Sequence, residues 1–179
     1  DDPTFIKDWL GNHNGRFENV AYSAPGGKVG RGARFDPGGG SNVGKAVCDY
    51  HPFSNVHSIG MWVKFDNVLL GNKEQIIGST GGAGKSFYLG IDGDNQIFAG
   101  YGNDFVGKSK PSVPSTISAG VWARMVMTHD GTHAHVYVNG VKLISWEAGF
   151  VGGGLGTVFF LGTSQGNVMI DEVVIDERH

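Results

Sequence analysis

"VWARMVMTHDGTHAHVYVNGVKL", residues 121–143, decides the fold. Apolar and polar residues alternate through it with the period of a half-buried strand. Asp130-Gly131 and Asn139-Gly140 break the alternation as hairpin turns, because tight turns need positive φ and these residues tolerate it. With Asp130-Gly131 as a two-residue loop, Thr132 pairs with His129, His133 with Thr128 and His135 with Val126. That register puts Ala123, Met125, Met127, Ala134, Val136, Val138, Val141 and Leu143 on one apolar face, with His129 on the same side. Trp122, Arg124, Thr128, His133, His135, Tyr137, Lys142 and Trp146 share the other face with Val126 and Ile144.

Working outward, short β-branched and aromatic runs recur between turn signals. They are 58–65, 74–79, 86–91, 96–101, 121–129, 132–138, 141–146, 157–163 and 168–176. No window shows capped helical periodicity. The pattern predicts an all-β chain, a two-sheet antiparallel sandwich or jelly roll, forming a single domain over 1–179. "SKPSVPSTISAG" (109–120) reads as a surface connection. The first fifty residues are the least regular and read as loops wrapped on the sandwich.

The 31 glycines follow no G-x-y period, so they read as turns rather than collagen. Fourteen Lys and Arg against 17 Asp and Glu give a net charge of −3, which offers no basic footprint for nucleic acid. Cys48 is alone, which excludes an internal disulfide and multi-cysteine metal sites. No run approaches the ~18 apolar residues of a membrane helix, so membrane insertion is not expected. "DDPTF" shows no leader pattern, and the chain reads as a mature or excised module of a larger protein.

The three histidines of the quoted stretch raise the question of a metal. His133 and His135 share a face, but His129 falls on the core side, and two histidines alone are an incomplete zinc site. Two other readings remain for that face. One is an ordinary solvated sheet surface. The other is a ligand platform of Trp122, Arg124, His133, His135, Tyr137 and Trp146, where rings stack on sugars and polar tips bond hydroxyls.

The quoted stretch is similar to the central hairpins of the laminin-G-like members of the concanavalin A-like lectin/glucanase superfamily. "DWLGNHNGRFENV" resembles the family's opening loop and "GKVGRGARFD" its Gly-rich second segment. "HSIGMWVKFD" resembles the strand with the buried Trp, and "FFLGTSQGNVMIDEVVIDER" the closing strands. The resemblance covers nearly the whole chain. It implies a curved jelly roll, extracellular or at the cell surface, that binds a glycan or a cell-surface protein, often with one structural calcium. The matching positions are Asp8 and Asp171, with Asn12 and Asn14 offering further oxygens.

The same family includes glycoside hydrolases and lyases. In "IDEVVIDE" (170–177), Asp171 is expected to point one way and Glu172 and Asp176 the other, so the alternating acidic set of the glucanase branch is missing. Arg124, His133, His135 and Tyr137 echo the residue types of polysaccharide lyases on this fold, without the Gln-Ile-His segment. "GGAGKS" (81–86) misses the phosphate-loop spacing, and "DGDNQ" (92–96) reads as a hairpin turn. No catalytic residue is assigned. The expectation is a non-catalytic carbohydrate-binding or adhesion module, its ligand surface either the polar face or the loops at the rim, including 81–86 and 101–108. The alternatives are a lyase or hydrolase with a degenerate motif, and an assembly domain of a surface layer or phage particle.

Overall fold

The computed structural model describes residues 5–6, 14–18, 21–35, 44–48, 56–66, 74–80, 87–91, 96–101, 112–114, 116–148, 158–161 and 168–177. Fifteen strands run through them: β1 (Phe5–Ile6), β2 (Gly15–Glu18), β3 (Ala21–Pro25), β4 (Arg31–Phe35), β5 (Lys45–Cys48), β6 (Val56–Phe65), β7 (Glu74–Thr80), β8 (Phe87–Ile91), β9 (Gln96–Tyr101), β10 (Ser112–Pro114), β11 (Ala123–Asp130), β12 (His133–Val138), β13 (Val141–Glu147), β14 (Val158–Leu161) and β15 (Val168–Glu177). An eight-stranded sheet has the order β1-β2-β5-β14-β7-β8-β9-β10, and a seven-stranded sheet the order β13-β12-β11-β6-β15-β4-β3.

Each of the nine runs expected as a strand contains one. The first fifty residues are not merely loops: they contribute β1 to β5, two of which form the edge of the seven-stranded sheet beyond β15. The 109–120 connection also carries a strand, β10, at the edge of its sheet, where Pro114 costs no central ladder bond.

The core lies between the sheets. Ile59, Met61, Val63 and Phe65 of β6, Met125 and Met127 of β11, and Val136 and Val138 of β12 form one cluster with Leu89, Ile91, Ile97 and Ala99 of the facing sheet. Burying each large side chain is worth roughly 1.5–3 kcal/mol. A one-residue slip of β12 would turn its whole apolar set to solvent, whereas a two-residue slip loses none of it. The observed register differs from the expected one by two: His129 pairs with Ala134, Thr128 with His135 and Val126 with Tyr137. The faces are therefore as read, while the turn is longer, spanning 130–133. Asp130 makes it so by accepting the N–H groups of Thr132 at 2.9 Å and His133 at 2.7 Å on one oxygen.

His129 stands on the core side, 1% exposed, with its ring stacked on buried His57. Its Nδ1 accepts the Gly131 N–H at 3.0 Å, which leaves the ring proton on Nε2, 2.9 Å from the Ala148 carbonyl oxygen. Both nitrogens serve the backbone of this corner.

The next hairpin turns through Asn139 and Gly140, both at positive φ, and pairs Val138 with Val141. A bulge then resets β13: Tyr137 pairs with Lys142 but Val136 with Ile144. Consequently Ile144 is buried and Trp146, opposite Ala134, packs against the core. Both were expected on the polar face. Val141, expected in the core, is 61% exposed at the hairpin end, and Leu143 packs against the core only partly buried.

Two further expectations are corrected. Trp62 is not the buried aromatic of its strand: Ile59, Met61, Val63 and Phe65 take the inward positions, so Trp62 lies on the outer face, half-buried. A one-residue bulge in β15 separates the pairs Asp171–Trp62 and Val174–Gly60, so Asp176, opposite Ser58, shares the outer face with Asp171.

Two predictions follow from these placements. Trp146→Ala should cost about 2 kcal/mol in chemical denaturation, less than the ~3–5 of a fully buried Trp, and leave ligand binding nearly intact. Unchanged stability would return Trp146 to the outer surface. The N–H groups of His133, then Thr132, hold the Asp130 carboxyl below its ordinary pKa. A depressed carboxylate contributes stability above its ordinary range near ~4 that is lost as pH falls through the folded-state value. Asp130→Ala should therefore lower Tm at neutral pH, with the gap to wild type closing in acid. A gap constant with pH would contradict the role assigned to this carboxylate.

Candidate functional site

The outer face of the seven-stranded sheet carries the polar and aromatic residues that alternate with the core. Where β6 and β11 lie side by side, Arg124 pairs with Trp62, and Trp62 pairs on its other side with Asp171 of β15. One rung along, Lys64 Nζ lies 5.0 Å from the centre of the Trp122 ring. Lys28, on the turn between β3 and β4, places its Nζ 4.4 Å from the centre of the Trp62 ring, and the Arg124 guanidinium carbon lies 6.0 Å from the same ring. Trp62 thus has two cations beside it, at distances where the ring quadrupole attracts them.

Asp171 organises this arrangement. Its Oδ2 accepts the N–H of Val29 at 2.8 Å, fixing the turn that presents Lys28. Its Oδ1 accepts the N–H of Glu172 at 2.9 Å, at the bulge in β15. Glu172 has φ 50, a strained value for a residue with a side chain, and its carbonyl oxygen accepts from Arg124 Nη1 at 3.0 Å. The turn allows little variation. A Cβ at Gly27 would come within 2.6 Å of the Arg31 carbonyl carbon and 2.8 Å of Asp171 Oδ2. Gly60 leaves the space in which Arg124 lies, since a Cβ there would meet Nη2 at 2.7 Å. Asn139 holds the Arg124 backbone from the other side, its Oδ1 accepting the Arg124 N–H at 2.9 Å.

The six platform residues read from the sequence therefore divide. Trp122 and Arg124 join Trp62, Lys28 and Lys64. His133, His135 and Tyr137 form a strip along β12: the two imidazoles stack at 6.5 Å, and His135 meets Tyr137 edge-on at 6.4 Å. His135 Nδ1 lies 2.9 Å from Ser145 Oγ, and its Nε2 lies 4.0 Å from Asp130 Oδ2. Trp146 belongs to the core side. Sequence reading missed Trp62, Lys28 and Lys64. For Trp62 and Lys64 the signal was present, since "IGMWVKF" alternates strictly and puts them opposite Ile59, Met61 and Val63. Lys28 reaches the face through a turn whose position only the tertiary structure reveals.

Of the four residues considered for calcium, Asp8 and Asn12 lie outside the described residues. Asn14 precedes β2 in the eight-stranded sheet, whereas Asp171 is on the outer face of the other sheet, with both oxygens engaged by backbone N–H groups. Among the described residues no three His, Cys, Asp or Glu side chains gather as a metal site, the His133–His135 pair included. Cys48 lies in β5, paired with Phe159 and Gly15.

Comparison with known proteins places this geometry. The Laminin_G_3 family model, of the concanavalin A-like lectin/glucanases superfamily, matches residues 38–178. No curated protein matches the sequence. Among solved structures, the binding domain of botulinum neurotoxin DC in complex with SialylT superposes with a TM-score of 0.74 at 14% identity, over 99% of this chain and 48% of the other. A botulinum neurotoxin type C structure, titled for its interaction with two ganglioside molecules, gives 0.73 at 13% identity, over 99% and 48%. The serotype D binding domain gives 0.72 at 12% identity, over 98% and 48%. This chain thus spans about half the length of those neighbours, and at such identity the likeness is one of fold. The two-sheet architecture and the family match together establish that the chain belongs to the concanavalin A-like lectin/glucanase superfamily.

Proposed function

We propose that this domain is an extracellular, non-catalytic binding module that recognises a glycan on the outer face of its seven-stranded sheet. One observation carries the reading: two half-buried tryptophans, Trp62 on β6 and Trp122 immediately before β11, have cationic side chains beside them. Indole faces stack on the apolar faces of sugar rings, and the surrounding Lys, Arg and His supply donors for hydroxyls. The fold neighbours lend support: botulinum neurotoxin DC binding domains form complexes with SialylT and with rat synaptotagmin II, and cell entry of the type C toxin depends on interaction with two ganglioside molecules. A cell-surface protein is the corresponding alternative partner.

Hydrolysis of the bound glycan is disfavoured by geometry. Asp171 and Asp176 share the outer face, but they lie opposite Trp62 and Ser58, four residues apart on β6, or ~13 Å along the strand. Paired glycosidase carboxylates stand ~5–9.5 Å apart. The strip of His135 and Tyr137 with Arg124 keeps a lyase as the competing enzymatic reading, and unsaturated products from a screened polysaccharide would establish it.

Screening the domain on a glycan array, with calcium and with chelator, tests the proposal. With a glycan so identified, Trp62→Ala and Trp122→Ala should each weaken binding by at least ~1 kcal/mol in calorimetry, the scale of a lost ring contact. A silent array would favour an assembly domain. The structural calcium near Asp8, Asn12, Asn14 and Asp171 is part of the same proposal. Asp171→Ala loses its backbone partners in any buffer, so the reading requires a larger fall in Tm with calcium than with chelator. Equal falls would remove the ion.

A further inference from the structure

We infer that the sugar taken by this face is acidic, an oligosaccharide bearing carboxylates or sulfates, anchored by Lys28, Arg124 and Lys64, with Asp171 as the positioning residue for the first two. The inference rests on the glycan reading above and adds the ligand's charge.

Charge pairing is the first argument. The chain has more carboxylates than cations, with a net charge of −3. Two arginines elsewhere take carboxylate partners: Arg34 makes a two-pronged pair with Asp66, and Arg16 pairs with Glu18. Among the described residues no carboxylate pairs with Lys28, Lys64 or Arg124, which rest against the two indoles. Asp171, opposite Trp62 on β15, is committed to the N–H groups of Val29 and Glu172. The face therefore holds three cations with no carboxylate partner among the described residues.

Pre-organisation is the second. Arg124 lies over Gly60 and is tied to the Glu172 carbonyl oxygen, a bond that uses one of its five N–H donors. A fixed planar fork suits a carboxylate or sulfate, which it can meet with two parallel bonds. The tie depends on a strained residue, Glu172 at φ 50, held in place by Asp171 on one side and Arg124 on the other. A neutral sugar stacked on Trp62 would cover these cations and give them no counter-charge, a desolvation cost that an acidic sugar removes.

The test is affinity for three probes: an oligogalacturonate, its carboxyl-reduced neutral counterpart, and a heparin-derived hexasaccharide. At about 0.1 M salt, wild type should bind at least one acidic probe at least ~10-fold more tightly than the neutral one, and the ratio should shrink near 1 M salt, where screening is short-ranged. Lys28→Ala and Arg124→Gln should each reduce the ratio several-fold. Arg124→Lys should restore it only in part, because the ammonium lacks the fork. Asp171→Asn should lower the ratio although every cation remains, while Arg16→Gln, which removes a charge from the other sheet, should leave it unchanged. Circular dichroism and Tm confirm that each variant is folded. Equal affinity for neutral and acidic probes overturns the inference and leaves the glycan reading standing. Binding to none of the three by folded wild type overturns the inference, and a silent array beside it overturns the glycan reading as well. A single-stranded oligonucleotide binding as tightly as the acidic sugars would overturn the assignment to sugar.

Discussion

Asp171 sits where β15 steps out of register with β6, and its two oxygens take the N–H groups of Val29 and Glu172. Those bonds reach across 142 residues of chain in one direction and one residue in the other. The first pins the β3–β4 turn onto the sheet, a turn whose Gly27 leaves no room for a side chain against that carboxylate. The second fixes a residue at φ 50, whose carbonyl oxygen then holds Arg124. Lys28 and Arg124, far apart in sequence, thereby converge on Trp62. A carboxylate accepting backbone donors is well suited to this, because such charge-assisted bonds are directional and stronger than neutral ones.

Parity explains both what the sequence revealed and what it concealed. Alternation in "VWARMVMTHDGTHAHVYVNG" correctly assigned every residue of β11 and β12 to its face, including His129 to the core, although the assumed turn was two residues too short. Burial enforces parity and is indifferent to slips of two. Bulges defeat the same reasoning. One extra residue in β13 turned Trp146 inward, and one in β15 brought Asp176 to the side of Asp171. Nothing local in "VKLISW" or "IDEVVID" announces the extra residue, because the bulge is settled by the partner strand. The five strands of the first fifty residues were hidden for a related reason: at two to five residues they are too short to show a clear alternation, and they acquire strand geometry by pairing with partner strands.

The placement of Trp62 shows how a resemblance can mislead where the residue pattern does not. Likeness to the family suggested a buried indole on that strand, whereas the alternation Ile59, Met61, Val63, Phe65 leaves Trp62 no inward position. An indole on the outer face exposes apolar surface that the sheet cannot cover, and the chain answers with cations instead of aliphatic neighbours. Aliphatic packing would close the ring off; a lysine or guanidinium covers it while staying hydrated and exchangeable. The same choice recurs one rung away at Lys64 and Trp122.

Rigidity supplies the remaining link from fold to function. Arg124 is held at its backbone by Asn139 in a tight turn and at its guanidinium by the carbonyl oxygen of Glu172. Trp62 is flanked by β11 and β15 within the sheet, so neither side chain depends on a long loop for its position. Weak stacking and hydrogen bonds yield useful affinity only when little ordering remains to be done on binding. The strain stored at Glu172 is consistent with that demand: β15 gives up regular backbone at one residue, and the guanidinium gains a fixed acceptor. Groups already in place in this way suit the acidic glycan proposed for this face.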